Sequence, residues 1–289
     1  MPSTYNNLYM DVRRVLKKIG VESATLEARE IVCCASNKSK EEFLRDSQLY
    51  SSPEIEQKVQ ALLQRRLQGE PIAYLVGEWE FFGLPLTINQ DVLIPRDDTE
   101  ILAQQAITYL KECKEPVRVL DLCTGSGCVG LAIASQIPEC RVVLADLSEA
   151  ALRIARTNVR LNHLQNSTAV MQADALKESP QNFDGFQCIV SNPPYIPSDN
   201  IEGLDISVKE YEPHMALDGG SDGLDFYRSI TQKWKGALCP GGKLMFELGI
   251  GQADAVLRLM RSEGFGDLEL FEDTQGISRV ISGTLYTEI

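Results

Sequence analysis

Over the first 70 residues the apolar positions recur at helical spacing. Leu8, Val12, Val15 and Leu16 mark one face, and Gly20 stands where that helix should stop. A second helix is expected after Ser23, carrying Leu26, Ala28, Ile31 and Val32. Ser51-Ser52-Pro53-Glu54 opens a third, with serine near the cap and proline in the first turn. It continues through Val59, Leu62 and Leu63 to about Leu67, and Gly69 ends it. This stretch holds no glycine-rich loop and no cluster of acid, base or nucleophile. Residues 1–71 therefore read as a small helical bundle for docking a partner.

The pattern changes at residue 72. Ala73 to Gly83 is aromatic and β-branched, and Leu84 to Leu93 is again strand-like. Two strands around Gly83 would make a hairpin, so residues 72–94 are expected to link two domains. Trp79, Phe81 and Phe82 are read as packing of that hairpin. From residue 95 to 289, short apolar strands alternate with helical stretches. The strands are Val117–Leu122, Arg141–Ala145, Ala169–Gln172, Phe186–Ser191 and Lys243–Glu247. The helices between them include Glu100–Glu112, Gly130–Gln136 and Ala150–Leu161. Such alternation predicts an α/β domain, a mostly parallel sheet with helices on both faces.

Charge narrows the partners. The net charge is −13. Residues 1–94 carry 11 basic and 13 acidic side chains, whereas residues 95–289 carry 17 and 28. An acidic C-terminal part suits a basic protein partner better than a polynucleotide, whose phosphates reward clustered Lys and Arg. The N-terminal segment lacks the pattern of a secretory signal, and no apolar run approaches the roughly 20 residues of a spanning helix. Eight cysteines form no paired C-x-x-C set, so neither a zinc site nor any other metal site is expected. Free thiols in a reducing cytoplasm are the expectation.

Val119 to Gly130 reads as strand, glycine turn, helix start. Gly125-x-Gly127-x-x-Gly130 lets the backbone approach a ligand, and the helix start offers free N–H groups. A carboxylate at Asp146, after the next strand, can accept from both hydroxyls of a ribose. The turn alone fits a nicotinamide dinucleotide as well. Asp121, just before it, would repel a pyrophosphate and suits a ligand bearing an amino group and a sulfonium.

Asn192-Pro193-Pro194-Tyr195 follows the apolar run Phe186–Ser191, at the strand edge where ligands bind in open α/β sheets. The tetrapeptide arises by chance in about one chain in a thousand of this length. The Asn192 side-chain oxygen and the Pro193 carbonyl can accept both N–H hydrogens of a planar nitrogen, aiming it at a methyl donor. The two prolines hold that carbonyl in place, and Tyr195 offers an aromatic face to the amide and to the cationic donor. Residues of this kind indicate methylation of an amide or amine nitrogen. A glutamine side chain and an adenine base both present such a nitrogen, and adenine-N6 DNA methyltransferases use the same tetrapeptide. A base-extruding enzyme would carry basic recognition regions, and none is visible.

Over nearly its whole length the sequence resembles the HemK/PrmC family, the protein-(glutamine-N5) methyltransferases of peptide chain release factors. The matched segments run in order from Pro71-Ile72-Ala73-Tyr74-Leu75-Val76-Gly77 through Phe81-Phe82-Gly83 and Ile94-Pro95-Arg96-Asp97-Asp98-Thr99-Glu100. The last of these begins at Val92-Leu93, and the matches continue with Asp121 to Gly127, Ser191 to Ile196, Tyr211-Glu212-Pro213, Ala216 to Asp225 and Glu247-Leu248-Gly249. The resemblance implies a helical N-terminal domain, a hairpin linker and a Rossmann-like seven-stranded class I methyltransferase domain. It also implies S-adenosylmethionine as cofactor, S-adenosylhomocysteine as product, and as target the glutamine of a Gly-Gly-Gln tip in class I release factors. A cytoplasmic monomer acting on translation termination, with no membrane or direct nucleic-acid contact, is the expectation.

By the same resemblance, Cys123, Thr124, Gly125, Ser126, Gly127, Asp146, Asp174, Ala175, Asp121 and Asn192 are the cofactor residues. Asn192, Pro193, Pro194 and Tyr195 hold the substrate, with Asn192, Pro193 and Tyr195 catalytic. The chain departs from the family at Cys123, in place of the first glycine, and at Asp97, in place of a proline. Ala175 lacks the aromatic side chain that some members set near the adenine. His163 and His214 are read as structural, Glu212 as either a channel residue or a solvated loop carboxylate, and Glu247 as facing the cofactor pocket.

Overall fold

The computed structural model describes residues 3–113 and 116–286, which divide into two compact units. The first comprises the N-terminal segment to Glu78 together with Ile206–Tyr211. Its helices are α1 (Tyr5–Lys18), α2 (Ala24–Ser36), α3 (Lys40–Asp46), α4 (Pro53–Leu67) and α5 (Ile72–Val76). Thr4 caps α1, accepting from the Asn7 N–H, and Ser52 caps α4, accepting from the Ile55 N–H. Leu8, Val12 and Leu16 of α1 meet Ala28, Ile31 and Val32 of α2 and Val59 and Leu63 of α4 in one apolar core. Leu26 belongs to the opposite face of α2 and is exposed. The capping box of α3, Ser39 with Glu42, lies in a stretch where the sequence reading placed no helix.

Residues 72–76 are helical, not part of a hairpin. A short apolar run has no period that separates helix from strand. Here Gly77, at φ +77°, closes a single helical turn whose Ala73, Tyr74 and Leu75 are buried. The hairpin is limited to β1 (Glu78–Phe81) and β2 (Leu84–Thr87). After it the chain leaves extended pairing, because the Asn89 side chain accepts from the Asp91 N–H in a local turn. The Trp79 indole donates to the Pro95 carbonyl, and Phe81 is buried, as expected for packing residues.

The second unit continues with α6 (Thr99–Glu112), β3 (Arg118–Leu122), α7 (Cys128–Gln136), β4 (Arg141–Asp146), α8 (Glu149–Leu161), β5 (Thr168–Gln172) and β6 (Phe186–Ser191). The short α9 (Ile206–Lys209) belongs to the first unit. There the Tyr211 hydroxyl donates to the Gln68 carbonyl, and Ile206 packs against Gly69. The second unit closes with α10 (Asp225–Lys233), β7 (Leu238–Glu247), α11 (Ala253–Ser262), β8 (Phe265–Glu272) and β9 (Ser278–Leu285).

Seven strands form one sheet in the order β5-β4-β3-β6-β7-β9-β8, parallel from β5 to β7 and antiparallel at β9 and β8. β3 and β6 are largely buried on both faces, which is why each is mostly apolar, Val119, Leu120 and Leu122 in one and Phe186, Cys188, Ile189 and Val190 in the other. The chain winds outward from β3 to β5 and then crosses back to β6 on the other side of β3. That reversal opens a crevice at the carboxyl ends of β3 and β6. Leu122 is in register with both Ala145 and Ser191. Cys123, Asp146 and Asn192 therefore leave the sheet at one edge.

Candidate active site

At that edge lies an open cleft bordered by the turn after β3, Asp146 and Asn192. The turn after β3 forms its floor. Cys123 takes a left-handed conformation, φ +63°, and Gly125 and Gly127 follow at +54° and +86°. The Thr124 N–H donates to the Ala145 carbonyl at 3.0 Å, holding the turn against β4. Nothing stands within 4 Å of where a Cβ on Gly125 would point, whereas one on Gly130 would meet Leu144 at 2.2 Å. The first glycine thus leaves backbone open for a ligand, and the last lets α7 pack onto the sheet.

Asp121 is buried, and its Oδ2 accepts from Thr124 Oγ1 at 2.6 Å and from the Gly130 N–H at 2.9 Å. It borders the cleft, yet this oxygen braces the turn itself, a duty that the sequence reading did not foresee. Burial pushes its pKa up to about 7 against those two hydrogen bonds. Asp146 accepts from the Gly125 N–H through Oδ2 and from the Ser148 N–H through Oδ1, both at 2.9 Å, and burial raises it as well. Asp174 accepts from the Leu176 N–H and pairs with Lys177. Ala175 is buried, and its carbonyl accepts from the Ser229 hydroxyl.

All the residues expected to hold a cofactor line this cleft except Gly127, which supports the turn from behind beside Leu144 and Leu131. Ser126 lines it too, and its hydroxyl is buried without a hydrogen-bond partner. The apolar side of the cleft comes from Leu147, Leu176, Met215 and Phe226. Phe226, on α10, supplies an aromatic wall where Ala175 has none. Its only sequence signal is that it directly follows the segment Ala216 to Asp225.

Of the tetrapeptide, Asn192 and Pro194 line the cleft, while Pro193 and Tyr195 do not. Asn192 Nδ2 donates to Thr99 Oγ1 at 3.4 Å. Tyr195 packs against the sheet core, and its hydroxyl donates to Glu247 Oε1 at 3.3 Å. The segment is pinned by its neighbour in space. Ile196 N–H donates to the Leu217 carbonyl, and Gly219 N–H to the Ile196 carbonyl. A Cβ on Gly219 would stand 2.7 Å from Tyr195 Cα, and one on Gly223 2.3 Å from its carbonyl oxygen. These two glycines are where the backbones come closest.

Glu212 is buried and forms an ion pair with Arg96, while its other oxygen accepts from the Ile94 N–H. It is neither a free channel group nor a solvated one. Glu247 does not line the cleft; it sits behind Asn192, next to Thr99 and Tyr195. His163 ends α8 in a left-handed conformation, and His214 starts a short 3-10 turn.

A seven-stranded sheet with this order, a glycine turn after its first strand and a carboxylate after the next define an S-adenosylmethionine-dependent methyltransferase. Residues 7–77 match the PrmC N-terminal domain and residues 99–204 the methyltransferase small domain. A release factor glutamine methyltransferase of Geobacter sulfurreducens is 39% identical over 273 residues, covering 94% of each chain. Another of Thermodesulfovibrio yellowstonii is 38% identical over 261 residues, covering 88% of this chain and 90% of that one. The chain belongs to the release factor glutamine methyltransferase family. Among solved structures, the hMettl16 catalytic domain in complex with MAT2A 3'UTR hairpin 1 shares the fold, with TM-score 0.55 and 15% identity over 90% of this chain and 92% of that one.

Proposed function

We propose that this protein transfers a methyl group from S-adenosylmethionine to the side-chain nitrogen of the glutamine in the Gly-Gly-Gln tip of class I release factors, and so modulates translation termination. The observation that carries the reading is the placement of Asn192 in the wall of the cofactor cleft, on the same sheet edge as the Gly125 turn and Asp146. Family membership supports the choice of glutamine.

When bound, the cofactor supplies an electrophilic methyl on a sulfonium and leaves as S-adenosylhomocysteine. Cys123 to Ser126 would provide the backbone cradle, Asp146 would accept from the ribose hydroxyls, and Asp174, Ala175 and Phe226 would border the base. Asn192 Oδ1 and the Pro193 carbonyl accept the two amide hydrogens. These two acceptors would aim the nitrogen lone pair at the donor's methyl and stabilise the positive charge that develops on the nitrogen. The methylated nitrogen would then lose its extra proton to solvent water.

The helical unit is assigned to docking the release factor. The net charge of −13 favours a protein partner over nucleic acid, and among the described residues no helix is long and apolar enough to cross a membrane. The eight cysteines are free, which fits action in the cytoplasm, and the protein is taken to act as a monomer. The test is incubation with labelled S-adenosylmethionine and a release factor, followed by mass spectrometry of the Gly-Gly-Gln peptide. A gain of one methyl on that glutamine is expected. An unmodified glutamine under conditions where the cofactor binds would overturn the reading.

A further inference from the structure

The peptide between Tyr195 and Ile196 is held from both sides. Its N–H donates to the Leu217 carbonyl at 3.0 Å, and its carbonyl accepts from Gln252 Nε2 at 2.9 Å. The same Nε2 donates to the Gly223 carbonyl at 3.2 Å. Gln252 Oε1 accepts from the Gly249 N–H at 3.1 Å, with the Tyr227 hydroxyl 3.3 Å from the same oxygen. One carboxamide therefore joins three backbone segments: the end of the tetrapeptide, the loop before α10 and the exit of β7. Two glycines leave room for it, since a Cβ on Gly223 would stand 2.7 Å from Nε2 and one on Gly249 2.5 Å from Oε1.

The partners fix which way this amide points. The two carbonyls can only accept and the Gly249 N–H can only donate. A flipped Gln252 would set oxygen against both carbonyls and N–H against N–H. Its main chain is anchored as well. Gln252 caps the start of α11, where its N–H donates to the Gly249 carbonyl and its carbonyl accepts from the Val256 N–H.

At the other end of the tetrapeptide, Ser191 closes β6 in register with Phe246, and its hydroxyl donates to the Leu122 carbonyl at 2.6 Å. Asn192-Pro193-Pro194 thus spans two fixed points. Both prolines lock their φ, and Pro194 also bars Pro193 from the helical region. A span with so few free torsions moves as a unit when one end is released. We propose that Gln252 is a positioning residue for methyl transfer: by clamping the Tyr195 carbonyl it keeps the Pro193 carbonyl and the Asn192 side chain in register with the acceptor nitrogen. This deepens the methyl-transfer reading and, for its kinetic half, rests on it.

The experiment compares wild type with two variants. Gln252→Met keeps the length but donates no hydrogen bond, and Gln252→Glu keeps the acceptor for Gly249 but loses both donors. Steady-state kinetics on a release factor are read beside S-adenosylhomocysteine calorimetry and carbon-detected carbonyl–nitrogen NMR, which registers the Pro193–Pro194 peptide. At neutral pH kcat should fall about tenfold or more in both variants, because misplaced acceptors cost alignment. Affinity for S-adenosylhomocysteine should change less than about twofold. In Gln252→Met the carbonyl signals of Tyr195 and Pro193 should both move. As pH falls, the protonated carboxyl of Gln252→Glu donates again, so its kcat relative to wild type should rise, while that of Gln252→Met stays flat. Wild-type kcat in both variants, a loss of cofactor affinity equal to the loss of rate, or a Pro193 signal that stays in place would overturn the inference. No turnover by wild type, with the Pro193 signal displaced in Gln252→Met, would support the clamp and count against the assigned substrate.

Discussion

The side chain of Asn158 pairs with the main chain of Thr87 as a neighbouring strand would: Oδ1 accepts from the Thr87 N–H at 2.7 Å, and Nδ2 donates to the Thr87 carbonyl at 3.0 Å. The same Nδ2 donates to the Ser126 carbonyl at 2.9 Å. One fully buried carboxamide on α8 thus ties the end of the hairpin to the cofactor turn. Asn158→Ala removes three hydrogen bonds and strands their backbone partners. A loss of roughly 2–4 kcal/mol in unfolding free energy is expected in urea titrations. Cofactor affinity, read by calorimetry, should weaken as the turn loosens.

Asn192→Ala removes an acceptor that the reaction needs but the cofactor cradle does not. The rate constant should fall by roughly a hundredfold, a few kcal/mol in the transition state. S-adenosylhomocysteine affinity should stay within a few-fold of wild type. Equal losses in both would show that Asn192 serves the cofactor instead.

Gly219→Ala tests the close approach behind the tetrapeptide. The added Cβ would stand 2.7–2.9 Å from three Tyr195 and Pro194 backbone atoms, none of which is a flexible chain end. The Asn192–Tyr195 backbone must move, so methyl transfer should drop at least tenfold from misplacement of the acceptors. Cofactor binding, carried by other loops, should change much less.

The Arg96–Glu212 pair joins a half-exposed guanidinium to a fully buried carboxylate. Burial raises Glu212, and Arg96 and the Ile94 N–H oppose that rise. Arg96→Met leaves the carboxylate buried without its counter-charge and should destabilise the fold by about 1–3 kcal/mol, reduced from the full cost of a buried pair because Arg96 is partly solvated. Adding Glu212→Gln should recover much of that loss. A double-mutant cycle in chemical denaturation measures the coupling.

Asp121 makes stability depend on pH. Its folded pKa, about 7, lies above the ordinary carboxylate value, so the native state holds a proton that the unfolded chain has already released. The stabilisation is fully present below about pH 4, declines as pH rises, and is lost above about pH 7. Glu247 acts with the same sign over the same window. Asp121→Asn should flatten part of that slope, giving a smaller fall in Tm between pH 5 and pH 8 than wild type shows. An identical slope in the variant would mean that Asp121 ionises normally.

The features legible in the sequence are those whose physics is local. Strands in the middle of the sheet are mostly apolar, so β3, β4 and β6 are visible as short runs. The turn Cys123–Gly127 and the stop at Asn192–Tyr195 announced themselves because few residue types tolerate left-handed backbone or consecutive prolines. Even where a period was clear, its partner was not: Leu26 looks like a core position of α2 and is exposed. Ile72–Val76 is too short to show any period, and the packing of Tyr74 and Leu75 made it a helix.

What only the tertiary structure decided is which polar groups meet. Tyr195 and Gln252 are 57 positions apart, Thr87 and Asn158 are 71, and no local pattern marks a serviceable carboxamide among many. The parallel sheet brings the ends of β3, β4, β6 and β7 to one edge, and burial there removes the water that would otherwise satisfy such groups. Each must then find a protein partner or stay unpaired at a cost. That constraint, absent from the unfolded chain, turns an ordinary Gln and Asn into a defined arrangement.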